Sequence, residues 1–185
     1  MWWNKISGSL VAATAVIFLT IGIGVGYWLT PEYKLSMYDK SMNLGQADRW
    51  FDLRYINGMI AHHRGAMLLA EQAAQKSQDE KIKTLAETIL KDEPKAIEEL
   101  YNWKKDWYGD NRKVKDPLKV NLGEYDDNFD LRFLNGLIFH HQEGVKMTKE
   151  TRLKSSRAEI LNNANKVEDF LNEGIKMLTE WRNEK

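Results

Sequence analysis

The 185-residue sequence predicts an all-α fold: a four-helix bundle made of two tandem helical hairpins, preceded by an N-terminal transmembrane helix. Three observations carry that expectation. A long stretch of the chain recurs without a gap further on, apolar side chains keep a helical period through both copies, and one uncharged run near the N-terminus is long enough to cross a bilayer.

The uncharged run comes first in the chain. Residues 10–29 read LVAATAVIFLTIGIGVGYWL. At about 1.5 Å per helical residue, a run of about 20 apolar residues spans the hydrocarbon core. Trp2 and Trp3 precede it and Tyr27 and Trp28 close it, where interfacial aromatics belong. A cleaved signal peptide is the alternative reading. The run is long for that role and no Ala-x-Ala site follows, although Gly24-Val25-Gly26 supplies small residues. The expected arrangement is a tail at 1–9, an anchor at 10–29 and a tether at 30–47. Lys5 on a short tail favours a single pass through the cytoplasmic membrane with the domain on the outer, periplasmic or extracellular, side; Lys34 and Lys40 pull the other way.

The repeat organises the rest of the chain. Asp52-Leu53-Arg54-Tyr55-Ile56-Asn57-Gly58-Met59-Ile60-Ala61-His62-His63 returns as Asp130-Leu131-Arg132-Phe133-Leu134-Asn135-Gly136-Leu137-Ile138-Phe139-His140-His141, an offset of 78. The same offset carries Ser77 onto Ser155, Ile82 onto Ile160, Leu100 onto Leu178 and Trp103 onto Trp181. Repeat 1 is placed at 48–108 and repeat 2 at 127–185, each a helical hairpin. In repeat 1 the first helix runs from about Asp48 to Lys76, with Phe51, Tyr55, Met59, Ile60, His63, Met67 and Ala70 along one face. Ser77-Gln78-Asp79-Glu80 reads as a capping box for the second helix, which Pro94 should kink. In repeat 2 the helices are expected from Asp127 to Lys154 and from Arg157 to the end, with Ser156-Arg157-Ala158-Glu159 as the matching box. Residues 109–126, with Pro117 and Gly123, lack helical period and form a crossover linker. Two hairpins that each expose an apolar stripe bury them against each other, giving pseudo-twofold symmetry.

Composition removes several function classes. Lys+Arg and Asp+Glu both number 27, so no net field favours nucleic acid as a partner. With no cysteine, disulfides, thiolate zinc sites, iron–sulfur clusters and a cysteine nucleophile are excluded. No glutamate stands three residues before any histidine, where Met59, Ile60, Leu137 and Ile138 are found, so the Glu-x-x-His elements of a diiron oxidase are missing. G-x-S-x-G is absent as well, and no enzyme is expected.

All four histidines fall in the repeated pairs His62-His63 and His140-His141. Neighbours on a helix point about 100° apart, so one member of a pair faces the core while the other flanks it. Met59, His63 and Met67 form one stripe, and Met147 follows His140 by two turns. Imidazole with thioether and no thiolate suits copper, Cu(I) above all. Pseudo-symmetry would bring both pairs together into one shared site. The plainer reading makes Met59 and Met67 core filler and the histidines buried groups satisfied by a carboxylate or carbonyl. Asp52 and Asp130 read as acids favoured near helix N-termini. Asn57-Gly58 and Asn135-Gly136, in mid-helix, point to close helix contact, and Trp103, Trp107 and Trp181 to hairpin-end packing.

The paired-histidine segments, Ile60-Ala61-His62-His63-Arg64-Gly65-Ala66 and Leu137-Ile138-Phe139-His140-His141, resemble the signature of the domain of unknown function 305 family, M-I-x-H-H-x-x-A-x-x-M-A. The resemblance covers most of residues 48–185. It implies a ferritin-like bundle, export or membrane tethering, and copper binding or tolerance, since the family includes a periplasmic copper-binding member. By position it points to Met59, His62, His63, His140, His141 and Met147. The sequence departs from the signature at Leu69, with Met67 displaced by two residues, and at Leu137 and Gly144 in the second copy. The family's later Gln-x-x-Glu-Ile stretch is represented by Glu93, Ala96 and Ile97, then by Leu171, Gly174 and Ile175.

Two functions compete. One is a metal-binding, non-catalytic protein with copper on His62, His63, His140, His141, Met59, Met67 and Met147, buffering or delivering metal outside the cytoplasmic membrane. The other is an accessory or scaffold subunit of a membrane complex, docked through its anchor, where Gly22, Gly24 and Gly26 permit close helix packing.

Overall fold

The computed structural model describes residues 44–185. The expected transmembrane helix at 10–29, the tail before it and nearly all of the tether lie outside the described residues. Among the described residues no helix is long and apolar enough to cross a membrane.

Each repeat supplies two helices: α1 (Phe51–Lys76) and α2 (Glu80–Tyr108), then α3 (Phe129–Lys154) and α4 (Ala158–Asn183). α1 packs along α2 and α3 along α4, and the hairpins meet through α1 against α3. No strand occurs among the described residues. α1 and α3 begin two to three residues later than their apolar period suggests, because Asp48 and Asp126 hold turns ahead of them: Asp48 Oδ1 accepts from Trp50 N and Asp126 Oδ1 from Asn128 N. Pro94 sits inside α2, which continues as a single helix to Tyr108. Gly109 ends it at φ 62°, a left-handed conformation that costs glycine little, and its N–H bonds back to Lys105 O at 2.9 Å.

The capping boxes are not built as expected. Asp79 caps α2, accepting from Lys81 N and Ile82 N at 2.8 and 3.2 Å. Arg157 precedes α4 without any side-chain cap. Ser77, the serine of the first expected box, and Ser155, its equivalent at the repeat offset and one residue before the second box, bond across the hairpins instead. Ser77 Oγ donates to Asp130 Oδ1 at 2.7 Å, and Ser155 Oγ donates to Asp52 Oδ1 at 2.6 Å. These two bonds are related by the repeat offset, and each ties the end of one repeat's first helix to the start of the other's. α1 and α3 are therefore antiparallel, and Asp52 and Asp130 are inter-hairpin acceptors as well as helix-start acids.

The repeat also reaches upstream of the helices. Arg54 donates to the Leu44 and Gln46 carbonyls, and Arg132 to those of Leu122 and Glu124. Lys154 Nζ reaches Gly45 O and Lys76 Nζ reaches Gly123 O, at 2.6 and 2.7 Å. Both glycines have positive φ, 71° and 80°. Between the hairpins, residues 110–122 form a strap fastened along the bundle: Arg64 donates to Val114 O, and Gln72 bonds to Val120 O and Leu122 N.

Two apolar clusters fill the interior, and each draws on both repeats. One gathers Leu69, Ala73, Ile82, Phe129, Phe133, Leu134 and Leu178. The other gathers Leu44, Phe51, Tyr55, Met59, Leu100, Met147 and Ile160. Trp181 packs against the first, and Trp103 and Trp107, stacked with centroids 5.0 Å apart, against the second. The histidine pairs fall midway along α1 and α3, in neither cluster.

Candidate metal centre

Because α1 and α3 are antiparallel and their histidine pairs occupy equivalent mid-helix positions, the symmetry axis brings the pairs face to face. His62 and His140 stack in parallel, centroids 3.9 Å apart and planes 7° off. His63 and His141 flank them, each about 6 Å from its own chain neighbour (6.1 and 6.2 Å). All four line a single cavity of about 150 Å³, together with Ala66, Glu93 and Phe170. His63 and His141 also open on a groove of about 570 Å³ beside α2 and α4, with Glu93, Glu173, Leu137 and Met177 on its walls.

Glycines make this layer possible. A Cβ at Gly144 would stand 2.6 Å from His62 Cε1 and 2.5 Å from Leu171 Cδ1. One at Gly174 would stand 2.6 Å from His141 Cδ2, and one at Gly65 3.0 Å from His140 Cε1. The close approach expected at the Asn-Gly pairs is not found at Gly136, where an added Cβ would meet Leu69 at an ordinary 3.6 Å. It occurs instead where the imidazoles lie against neighbouring helices.

The electrostatics follow from burial. His62, His140 and His141 are 3%, 1% and 8% exposed. Desolvation, with some repulsion from His140 and the other two imidazoles, holds His62 well below its usual 6.5. Desolvation first, then neighbouring imidazoles, lowers His140 to about 3, and desolvation lowers His141 to about 4. The His62 and Leu137 carbonyls oppose these shifts weakly, from positions that fall short of hydrogen-bond geometry. At neutral pH these three rings carry no charge, and stacking two of them costs no charge repulsion.

Neutral buried imidazoles normally find partners. Here His62 Nδ1, both nitrogens of His140 and His141 Nδ1 have none among the described residues. His63 is paired, its Nδ1 in a short hydrogen bond with Glu93 Oε2. Orphaned imidazole nitrogens are the donor set that a soft or borderline metal ion uses, so the residues fit such an ion chemically. Their convergence is not preset: among the described residues no three His, Asp or Glu side chains already form a metal-holding group. The stacked rings must turn before their nitrogens share a centre.

The sequence-predicted residues divide cleanly. His62, His63, His140 and His141 meet at one cavity. Met59 and Met147 lie in the adjoining apolar cluster, essentially inaccessible to solvent, and do not line the cavity. Met67 is half-buried and lines neither space. Glu93, bonded directly to His63, has no place among the residues that spacing alone singles out; in the sequence it stands only as a departure from a family stretch. Its signal is a broken repeat: the offset puts Leu171 where Glu93 stands.

Residues 52–124 match the family model described as Domain of unknown function (DUF305). The resemblance read from the His-His pairs is borne out. Solved structures that resemble the chain include CopM in the Cu(I)-bound form, 29% identical over 74% of this chain and 98% of that one, with a TM-score of 0.64. CopM in the Ag-bound form is 28% identical, over 72% and 96%, with a TM-score of 0.63. A DUF305 fragment from Deinococcus radiodurans shares the fold at 18% identity, over 76% and 100%, with a TM-score of 0.60. A comparison with curated protein sequences finds no match. The DUF305 match ends just past the strap, so it covers the first histidine pair and Glu93 but not the second pair.

Proposed function

We propose that this protein binds copper, as Cu(I) in preference, at the histidine centre, and buffers or delivers it without catalysing a reaction. The observation that carries the reading is the set of buried imidazole nitrogens without partners, from both repeats, around one cavity. Likeness to CopM, crystallised with Cu(I), Cu(II) and Ag, supports it. His62, His63, His140 and His141 are the principal donors. Met59, one turn before His63, and Met147, two turns after His140, supply thioethers from the adjoining cluster, and Met67 completes the candidate set. The N-terminal apolar run tethers the bundle to the cytoplasmic membrane on its outer side, so the metal handled is that outside the cytoplasm.

Chemistry supports the preference. Neutral imidazole and thioether are soft or borderline donors, and no thiolate is present. Copper titration against a competing Cu(I) chelator, under anaerobic conditions, tests the reading in the intact protein beside a variant with all four histidines changed to Ala. Histidine-dependent retention is expected, with circular dichroism confirming that both proteins are helical. Equal, negligible retention by two folded proteins overturns it and turns attention to a scaffold role in a membrane complex.

A further inference from the structure

Several side-chain contacts that tie the elements together obey the repeat. Ser77–Asp130 matches Ser155–Asp52, Arg54 matches Arg132, and Lys76 matches Lys154. The symmetry breaks at the histidines. His63 Nδ1 is bonded to Glu93, whereas Leu171 occupies the equivalent place beside His141, whose Nδ1 is buried without a partner. Gly174 gives His141 its room, and Phe170 lies 6.4 Å away, ring to ring.

We propose that Glu93 is a positioning residue that makes the two halves of the centre unequal, holding His63 with its proton on Nδ1 and its lone pair on Nε2. The inference rests on the copper-binding reading for its functional consequence, but its chemistry stands on the contact itself. An ionised carboxylate only accepts hydrogen bonds, so the imidazole nitrogen facing it must donate. His63 Nε2 makes no hydrogen bond among the described residues, and the ring lines both the cavity and the groove. A carboxylate behind a metal-binding imidazole fixes its tautomer, orients the ring and raises its basicity, and its loss typically costs about 10–100-fold in metal affinity. His141 lacks such support. The first-copy half is therefore the high-affinity half, and His141 joins by reorienting in its glycine-lined space.

A structural reading is the alternative: the pair would merely tie α1 to α2. Its side chains are 12% and 18% exposed, too buried to be dismissed as a surface ion pair. Stability alone therefore does not separate the two roles, whereas the tautomer does. The test uses the whole protein, Glu93→Gln and Leu171→Glu. Long-range proton–nitrogen NMR on metal-free protein reads the His63 tautomer, and anaerobic Cu(I) competition reads affinity. We expect wild-type His63 to show the Nδ1–H form. Glu93→Gln, whose amide both donates and accepts, should stay folded, show mixed tautomers and bind Cu(I) about 10–100-fold more weakly. Leu171→Glu should give His141 the same Nδ1–H signature. An unchanged His63 spectrum in Glu93→Gln, or affinity within about twofold of wild type while wild type binds copper, overturns the proposal. Should wild type bind no copper, the functional reading fails by itself, and the NMR arm still decides whether Glu93 sets the tautomer.

Discussion

At the scale of residues, the histidine layer carries a cost that the metal-free protein must show. His62, His140 and His141 are held below 6.5 when folded, chiefly by desolvation, and titrate near 6.5 when unfolded. Between those values the unfolded chain binds more protons than the folded one, so stability rises with pH and falls as pH drops below about 6.5. Each group contributes a slope of up to about 1.4 kcal/mol per pH unit until its folded value, about 4 for His141 and about 3 for His140, is reached. Asp79 and Asp126 act with the same sign in a more acid window: cationic and N–H partners lower them, so their contribution persists above 3.8 and disappears only at more acid pH. The interval from pH 5 to 6.5 therefore isolates the histidines. As pH is lowered across it, urea midpoints should fall steadily in wild type and less steeply in His140→Gln; a flat wild-type profile would show that the rings open to water instead of staying dry. The pairs themselves are legible in the sequence, since two adjacent histidines recurring at one offset are conspicuous. Glu93 is not, because it stands 30 residues from His63 on another helix. No local spacing rule links positions that only tertiary packing brings together.

At the scale of elements, two serine–aspartate bonds fasten opposite ends of the α1–α3 pair. Ser77 is buried with Asp130, which Lys185 also approaches at 3.1 Å. Ser155 is partly buried, and its partner Asp52 faces Arg157 at 3.5 Å. Replacing either serine by Ala removes a hydrogen bond to a carboxylate, worth about 1.5–3 kcal/mol, and a weaker one accepted from the backbone N–H of Asp79 or Arg157, with Ser77→Ala at the upper end because its site is drier. The two bonds lie about 39 Å apart, the length of a 26-residue helix. Their effects should therefore add to within about 0.5 kcal/mol in the double variant. Denaturant unfolding of the two singles and the double measures this, and a marked departure would mean that the ends are coupled through the bundle. These bonds also explain why helix positions are readable from the sequence while the caps are not. Ser77, three residues before Glu80, looks like the start of a capping box, but Asp130 of the other hairpin accepts from its hydroxyl. The upstream turns escape a reading by period because Leu44-Gly45 and Leu122-Gly123 have none, although they obey the same offset.

At the scale of the whole molecule, the fold is one chain standing in for a symmetric dimer, and that has a consequence for each half. Both apolar clusters draw on both repeats, so a hairpin alone exposes Phe51, Tyr55, Met59 and Leu69 along one face. Its own interior contributes too little burial to offset the ordering of about 60 residues. Yet repeat 1 contains both halves of the fastening, Asp52 and Ser77. In a pair of repeat 1 copies each Ser77 meets the partner's Asp52, reproducing both bonds of the intact bundle. Residues 44–108 expressed alone should therefore fold only by associating: helicity and unfolding midpoint should rise with protein concentration, and sedimentation should show a dimer. Such a dimer would hold two Glu93–His63 pairs, where the natural chain has one. A monomeric hairpin that unfolds cooperatively, with a midpoint independent of concentration, would contradict this and show that α1 and α2 suffice as a unit. If the dimer forms, comparing its copper affinity with that of the whole protein asks whether the asymmetry at Leu171 tunes the centre.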